Sequence, residues 1–91
     1  MSKQGIVTVV GIDRIGIIAA VSAELAEVKL NIVDIRQTVV KNFFTMIMVV
    51  DVEASPLSIK ELQDKLQAFG TEQGLQITIQ SEDIFQVMHR I

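Results

Sequence analysis

The chain has no cysteine, no tryptophan and no tyrosine, a single histidine, and only four aromatic residues in 91, all of them phenylalanine. Without cysteine there is no thiol nucleophile, no thiol redox couple, no thiolate metal site and no disulfide to brace a small fold. The lone His89 leaves no multi-histidine constellation, so metal chemistry would rest on carboxylates alone, and no metal or cofactor is expected. An excess of positive charge is also missing. The 8 Lys plus Arg against 11 Asp plus Glu give a net charge of −3, without the basic field that phosphate neutralisation needs, and this argues against a nucleic-acid partner. Long apolar runs are absent. Met1-Ser2-Lys3-Gln4 leads straight into a β-rich run, without the apolar stretch of a leader or membrane span, so a soluble, cytoplasmic protein without a membrane partner is expected.

What the chain has is a hydrophobic content of 49%. A chain of this size buries about 60 to 70% of its unfolded surface, so one core must carry the stability, and dimerisation is the obvious reinforcement. No linker, low-complexity tract or charge block interrupts it, and residues 1–91 read as one domain.

Residues 5–11, a β-branched run between Gly5 and Gly11, read as a first strand. Asp13 offers a helix N-cap, and Ile18, Val21, Leu25 and Val28 recur at helical spacing. Residues 31–40 alternate, with Val33, Ile35 and Val39 on one face and Asp34, Arg36 and Thr38 on the other; Lys41-Asn42 then makes a two-residue connection in which Asn tolerates positive φ. Residues 43–50 are apolar on both faces. Ser55-Pro56 or the capping box Ser58 to Glu61 can start a second helix carrying Ile59, Leu62, Leu66 and Phe69, with Gly70 and Gly74 bracketing its exit. Residues 75–80 alternate without fault, and Ser81 can cap a short terminal helix with Ile84, Phe85, Met88 and Ile91 on its apolar side.

The order βαββαβ predicts an α+β fold of the ferredoxin-like sandwich type: a four-stranded antiparallel sheet in the order 4-1-3-2, two helices on one face, and a short C-terminal helix. The nearly all-apolar first and third strands suit central positions, and the alternating second and fourth suit edges. Two helices cover only one face, yet the central strands are apolar on both. The terminal helix and a second subunit are the expected covers, and the edge of the second strand needs a partner or a guarding charge such as Arg36.

Chemistry concentrates in the turn Gly11-Ile12-Asp13-Arg14-Ile15-Gly16-Ile17. Free N–H groups of a first helical turn can hold a carboxylate and Asp13 can hold an ammonium group, the two charged ends of an amino acid. The plainer alternative is that Asp13 only caps the helix and Gly16 only packs against a neighbour. Met46 and Met48 read as core filling, Phe43 and Phe44 as core and interface, and no residue reads as catalytic.

The run Gly11-x-Asp13-x-x-Gly16-Ile17, followed by an amphipathic helix, then Leu30-Asn31-Ile32-x-Asp34-Ile35-x-Gln37, and Phe44-Thr45-Met46, resembles an ACT domain, most closely the small stand-alone ACT-domain proteins of an uncharacterised bacterial and archaeal family. The resemblance covers nearly the whole chain. It implies a non-catalytic regulatory homodimer that binds a small molecule, commonly an amino acid, at the subunit interface, and that a partner protein could read. Carried over by position, it points to Asp13, Gly16 and Ile17 in the turn and to Asn31 and Ile32 at the entrance of the second strand as ligand-binding residues. This chain departs from the family pattern at Ile15, where many relatives have Pro, and at Lys29, where a glycine is usual; a lysine forced to positive φ costs roughly 1 kcal/mol, so the helix exit is expected to differ. Two other functions fit the same fold: a pure dimerisation or protein-interaction module with a vestigial site, and an acylphosphatase-like hydrolase. The hydrolase would need Arg14 with Asn31 or Asn42 and would have to tolerate Asp13 beside a phosphate.

Overall fold

A computed structural model describes residues 3–82. The elements are β1 (Gln4–Ile12), α1 (Ile17–Glu27), β2 (Asn31–Val40), β3 (Phe43–Asp51), α2 (Ile59–Gln73) and β4 (Leu75–Ser81). The four strands form one antiparallel sheet in the order β2-β3-β1-β4, the expected order read from the other edge. The expected terminal helix falls outside the described residues.

Register explains the core. Val7 and Val9 of β1, Phe44, Met46, Met48 and Val50 of β3, and Leu75, Ile77 and Ile79 of β4 all lie on one face of the sheet and are buried. Ile17, Val21 and Leu25 of α1 and Leu62 and Leu66 of α2 close the same cluster, so both helices lie on that face. The helix stripe begins at Ile17 rather than at the expected Ile18, which stays partly exposed. On the opposite face Ile6 is buried, but Val10, Ile12, Phe43 and Ile47 remain open to solvent. Phe44 is thus core, and Phe43 is not.

Five local expectations are corrected by the backbone. Asp13 does not cap α1: the N-cap is Gly16 in the left-handed region at φ 92°, with no side-chain cap bond. The N-cap therefore falls three residues beyond the carboxylate, and the helix itself begins at Ile17. At the other end α1 keeps the left-handed exit that glycine would favour, with Lys29 at φ 65°. The N–H of Lys29 donates to the carbonyl of Ala26 (3.0 Å) and that of Leu30 to Leu25 (2.9 Å), while Leu25 and Leu30 are buried together. This capping and burial hold Lys29 in its unfavourable conformation, so the exit does not differ as expected.

In the β2–β3 hairpin the positive φ, 58°, belongs to Lys41 and not to Asn42. In β2 a bulge between Ile32 and Asp34 shifts the alternation by one, so Ile32 packs against the core where Val33 was expected. Gly70 does not end α2; it lies inside the helix because a Cβ there would come within 2.7 Å of the Leu75 carbonyl oxygen. The left-handed cap is Gly74 at φ 72°. Of the two possible starts for α2, the capping box is the one formed: Ser58 Oγ accepts from the N–H of Glu61 (3.2 Å), and Glu61 Oε1 accepts from that of Ser58 (2.9 Å).

Candidate functional site

The β1–α1 turn is held at three points. Its first anchor is the N–H of Asp13, which donates to the carbonyl of Asn42 in the β2–β3 hairpin (2.8 Å). Arg14 supplies the second, with Nη2 donating to the carbonyl (3.2 Å) and the Oε1 (3.1 Å) of Gln73 at the end of α2. Ile17 is the third, 2% exposed and seated in the core beneath the helix start. Between these anchors Asp13 and Gly16 are exposed and Ile15 is fully so.

Gly16 is required for its φ of 92° and not for a close neighbour, since a Cβ there would meet nothing within 4 Å. Open space therefore lies above the start of α1. Its first turn contains no acidic residue, so no side chain of that turn competes for its N–H groups. A carboxylate-bearing ligand could use these donors with Asp13 close by in sequence. Arg14, needed for acyl-phosphate chemistry, is turned onto Gln73 instead. Among the described residues no three His, Asp or Glu side chains gather in a way that could hold a metal ion.

The other two predicted residues are elsewhere. Asn31 pairs with Asp51, which pairs with Gln4, so Asn31 and Ile32 stand where β1 begins, whereas Asp13 and Gly16 follow its end. At about 3.3 Å per residue, the ten residues of β2 put the two groups roughly 30 Å apart. The chain thus brings Asp13, Gly16 and Ile17 together and leaves Asn31 and Ile32 at the far end of the sheet. Asn31 is exposed, and Ile32 is half-buried against the core.

Sequence reasoning missed a groove of about 800 Å³ along β4, walled by Gln63, Gln67 and Thr71 of α2 and reaching Ile12 and Phe43. None of the five predicted residues lines it. The polar positions of α2 and the wet face of β4 were visible in the sequence, but their meeting depends on how α2 crosses the sheet.

The match to known proteins agrees with this architecture. The sequence profile of the ACT domain matches residues 3–80. The chain belongs to the ACT-domain family. It is 43% identical over 88 residues to a UPF0237 protein of Methanopyrus kandleri, covering 97% of this chain and 98% of that one. Among solved structures it is similar to an ACT domain protein from Streptococcus pneumoniae, with a TM-score of 0.83 and 42% identity, covering 94% of this chain and 97% of the other. A formyltetrahydrofolate deformylase from Pseudomonas syringae contains the same fold within 28% of its length, with a TM-score of 0.80 over 89% of this chain; at 18% identity that likeness concerns the fold alone. ACT domains are typically small-molecule-binding regulatory modules and often dimerise. Among the described residues no helix is long and apolar enough to cross a membrane.

Proposed function

We infer that this ACT-domain protein is a non-catalytic regulatory homodimer of the cytoplasm that binds an amino acid between its subunits and is read by a partner protein. One observation supports the reading: the five candidate residues fall into two groups at opposite ends of a sheet whose β2 edge is open, Asn31 and Ile32 at the start of β2 and Asp13, Gly16 and Ile17 beyond the end of β1. A two-fold axis at the middle of β2 would bring Asn31 and Ile32 of one subunit to the turn of the other. In that composite site the N–H groups at the start of α1 receive the ligand carboxylate, Asp13 receives the ammonium group, and the Asn31 amide from the second subunit fixes orientation. Ile17 acts from beneath, holding the helix start in place, and Ile32 lends an apolar wall. A ligand bridging two subunits favours one arrangement over another by its difference in affinity for the two, which is the quantity a partner protein can sense.

The test is a thermal-shift panel of the twenty amino acids. Ligand at about 100 times its dissociation constant adds roughly 2.7 kcal/mol, a rise on the order of 10 °C for a domain this small. Asp13→Ala and Gly16→Val should remove the rise while the protein still sediments as a dimer. An unmoved midpoint with every amino acid at millimolar concentration rejects the sensing function. Loss of stability alone in the two variants assigns the turn a structural role.

A further inference from the structure

We propose that the face of the sheet away from the two helices is a docking surface for residues 83–91 of the same chain, which cross the strands at the Ile6 end and set Phe85 against Ile6 and Met88 against Val49. The contact lies within one chain and does not depend on the homodimer reading above.

Strand register defines the surface. Gln80, Ile6, Val49 and Asp34 form one row across that face, from β4 to β2. In the next row Ile47 stands between Thr8 and Arg36, and Val10 belongs to the row after that. Both described helices pack against the other face, so neither covers these rows.

Exposure along the face is nevertheless graded. Ile6 is 7% exposed and stands outside the helix-side cluster, whereas Ile47 is 41% and Val10 37% exposed. Flanking side chains do not explain the difference, because Ile47 is flanked on both sides just as Ile6 is. Val49, beside Ile6, is half-buried. A cover therefore lies over the first row and stops short of Val10. It belongs to the chain itself, since the burial is reached within a single chain.

The chain leads to that row. β4 ends at Ser81, opposite Gly5 and next to Ile6, and Glu82, the last described residue, already has helical backbone. Beyond it Ile84, Phe85, Met88 and Ile91 recur at the spacing of one helix face. Their length suits a course across the strands: as a helix the stripe from Ile84 to Ile91 measures about 10 Å, and so do the two inter-strand steps from Ile6 to Asp34. On that scale Ile84 and Phe85 come over Ile6 and Met88 over Val49. His89 and Arg90 then arrive beside the exposed carboxylate of Asp34, so the charges at the far end of the row are complementary. A course along β1 would instead bury Val10, which stays open. The docked segment closes the second layer over the end where β1 begins and leaves Val10, Ile12 and Phe43 uncovered at the other.

Nuclear Overhauser spectroscopy on the unmodified protein tests the contact. The Phe85 ring should show contacts to the methyl groups of Ile6, and the Met88 methyl to those of Val49. In an equal mixture of isotope-labelled and unlabelled chains these contacts should stay within one chain. Phe85→Ser should lower the thermal midpoint by about 5 °C or more and raise the binding of a hydrophobic dye, with the circular dichroism of the sheet retained. Contacts from Phe85 to Val10 and Ile12 overturn the course across the strands. Contacts seen only between labelled and unlabelled chains assign the surface to a second copy and overturn the proposal, as does the absence of any contact from Phe85 or Met88 to the sheet. Because the contacts are read without a substitution, a Phe85→Ser protein that fails to fold leaves that decision unaffected.

Discussion

The two edges of the sheet are built differently. β4 is short, its apolar positions Leu75, Ile77 and Ile79 are buried, and α2 lies beside it so closely that Gly70 has no room for a side chain against Leu75. Gln63 of the same helix reaches over to donate from Nε2 to the Ile79 carbonyl at 3.1 Å. β2 has none of this cover: it is longer, bulged near its entrance, and exposed along its length except at Ile32. A bulge and a charged pair are common ways to blunt an edge, but they leave β2 far more available than β4. The difference teaches that the chain completes one side of its core by itself and leaves the other side open.

Substitutions can break or sharpen this contrast. The largest effect is expected on the finished side, where Leu66→Ala should cost about 2 to 5 kcal/mol through the lost burial and the cavity left behind, read as a lower midpoint in chemical denaturation. Gly70→Ala should cost about 1 to 3 kcal/mol, because the added methyl meets the Leu75 carbonyl and Ile77 Cγ1; a neutral result would show that α2 can lift from β4 freely. Gln63→Ala should lower stability by about 0.5 to 1.5 kcal/mol, and it opens the β4 edge, so its solubility at high concentration should be compared with that of the parent.

Relief of the left-handed lysine before β2 is the one stabilising change: Lys29→Gly should gain up to about 1 kcal/mol in thermal denaturation, with dimerisation unchanged. The smallest effect is expected on the open side. Val39→Ala should shift protomer stability by less than about 0.5 kcal/mol under dilute, monomeric conditions and weaken the dimer at higher concentration. If Val39→Ala costs the monomer as much as Leu66→Ala, the two sides are not different in kind.

Much of the fold was legible because it is written in short-range periodicity. The apolar runs of β1 and β3 against the alternation of β2 and β4 marked centre and edge, and helical spacing at Val21, Leu25, Leu62 and Leu66 marked the buried stripes. The site was legible only in part. Asp13, Gly16 and Ile17 are neighbours in sequence and remain neighbours in space, whereas Asn31 and Ile32 are grouped with them by resemblance and lie at the other end of the sheet. The backbone surprises share one cause: the cap at Gly16, the positive φ at Lys41 and the bulge at Val33 depend on local dihedral angles that several residue types can adopt, and contacts from distant segments choose among them.

The sequence by itself determined the number, order and kind of the described elements, since hydrophobic period, β-branching and capping chemistry act within a few residues of where they are read. Only the tertiary structure decided that Gly70 belongs inside α2, that β4 is covered while β2 is open, and that the candidate residues divide between opposite ends of the sheet. Those outcomes are set by which surfaces meet when segments dozens of residues apart are packed together, and neither a carbonyl at 2.7 Å nor an uncovered strand edge exists until they do.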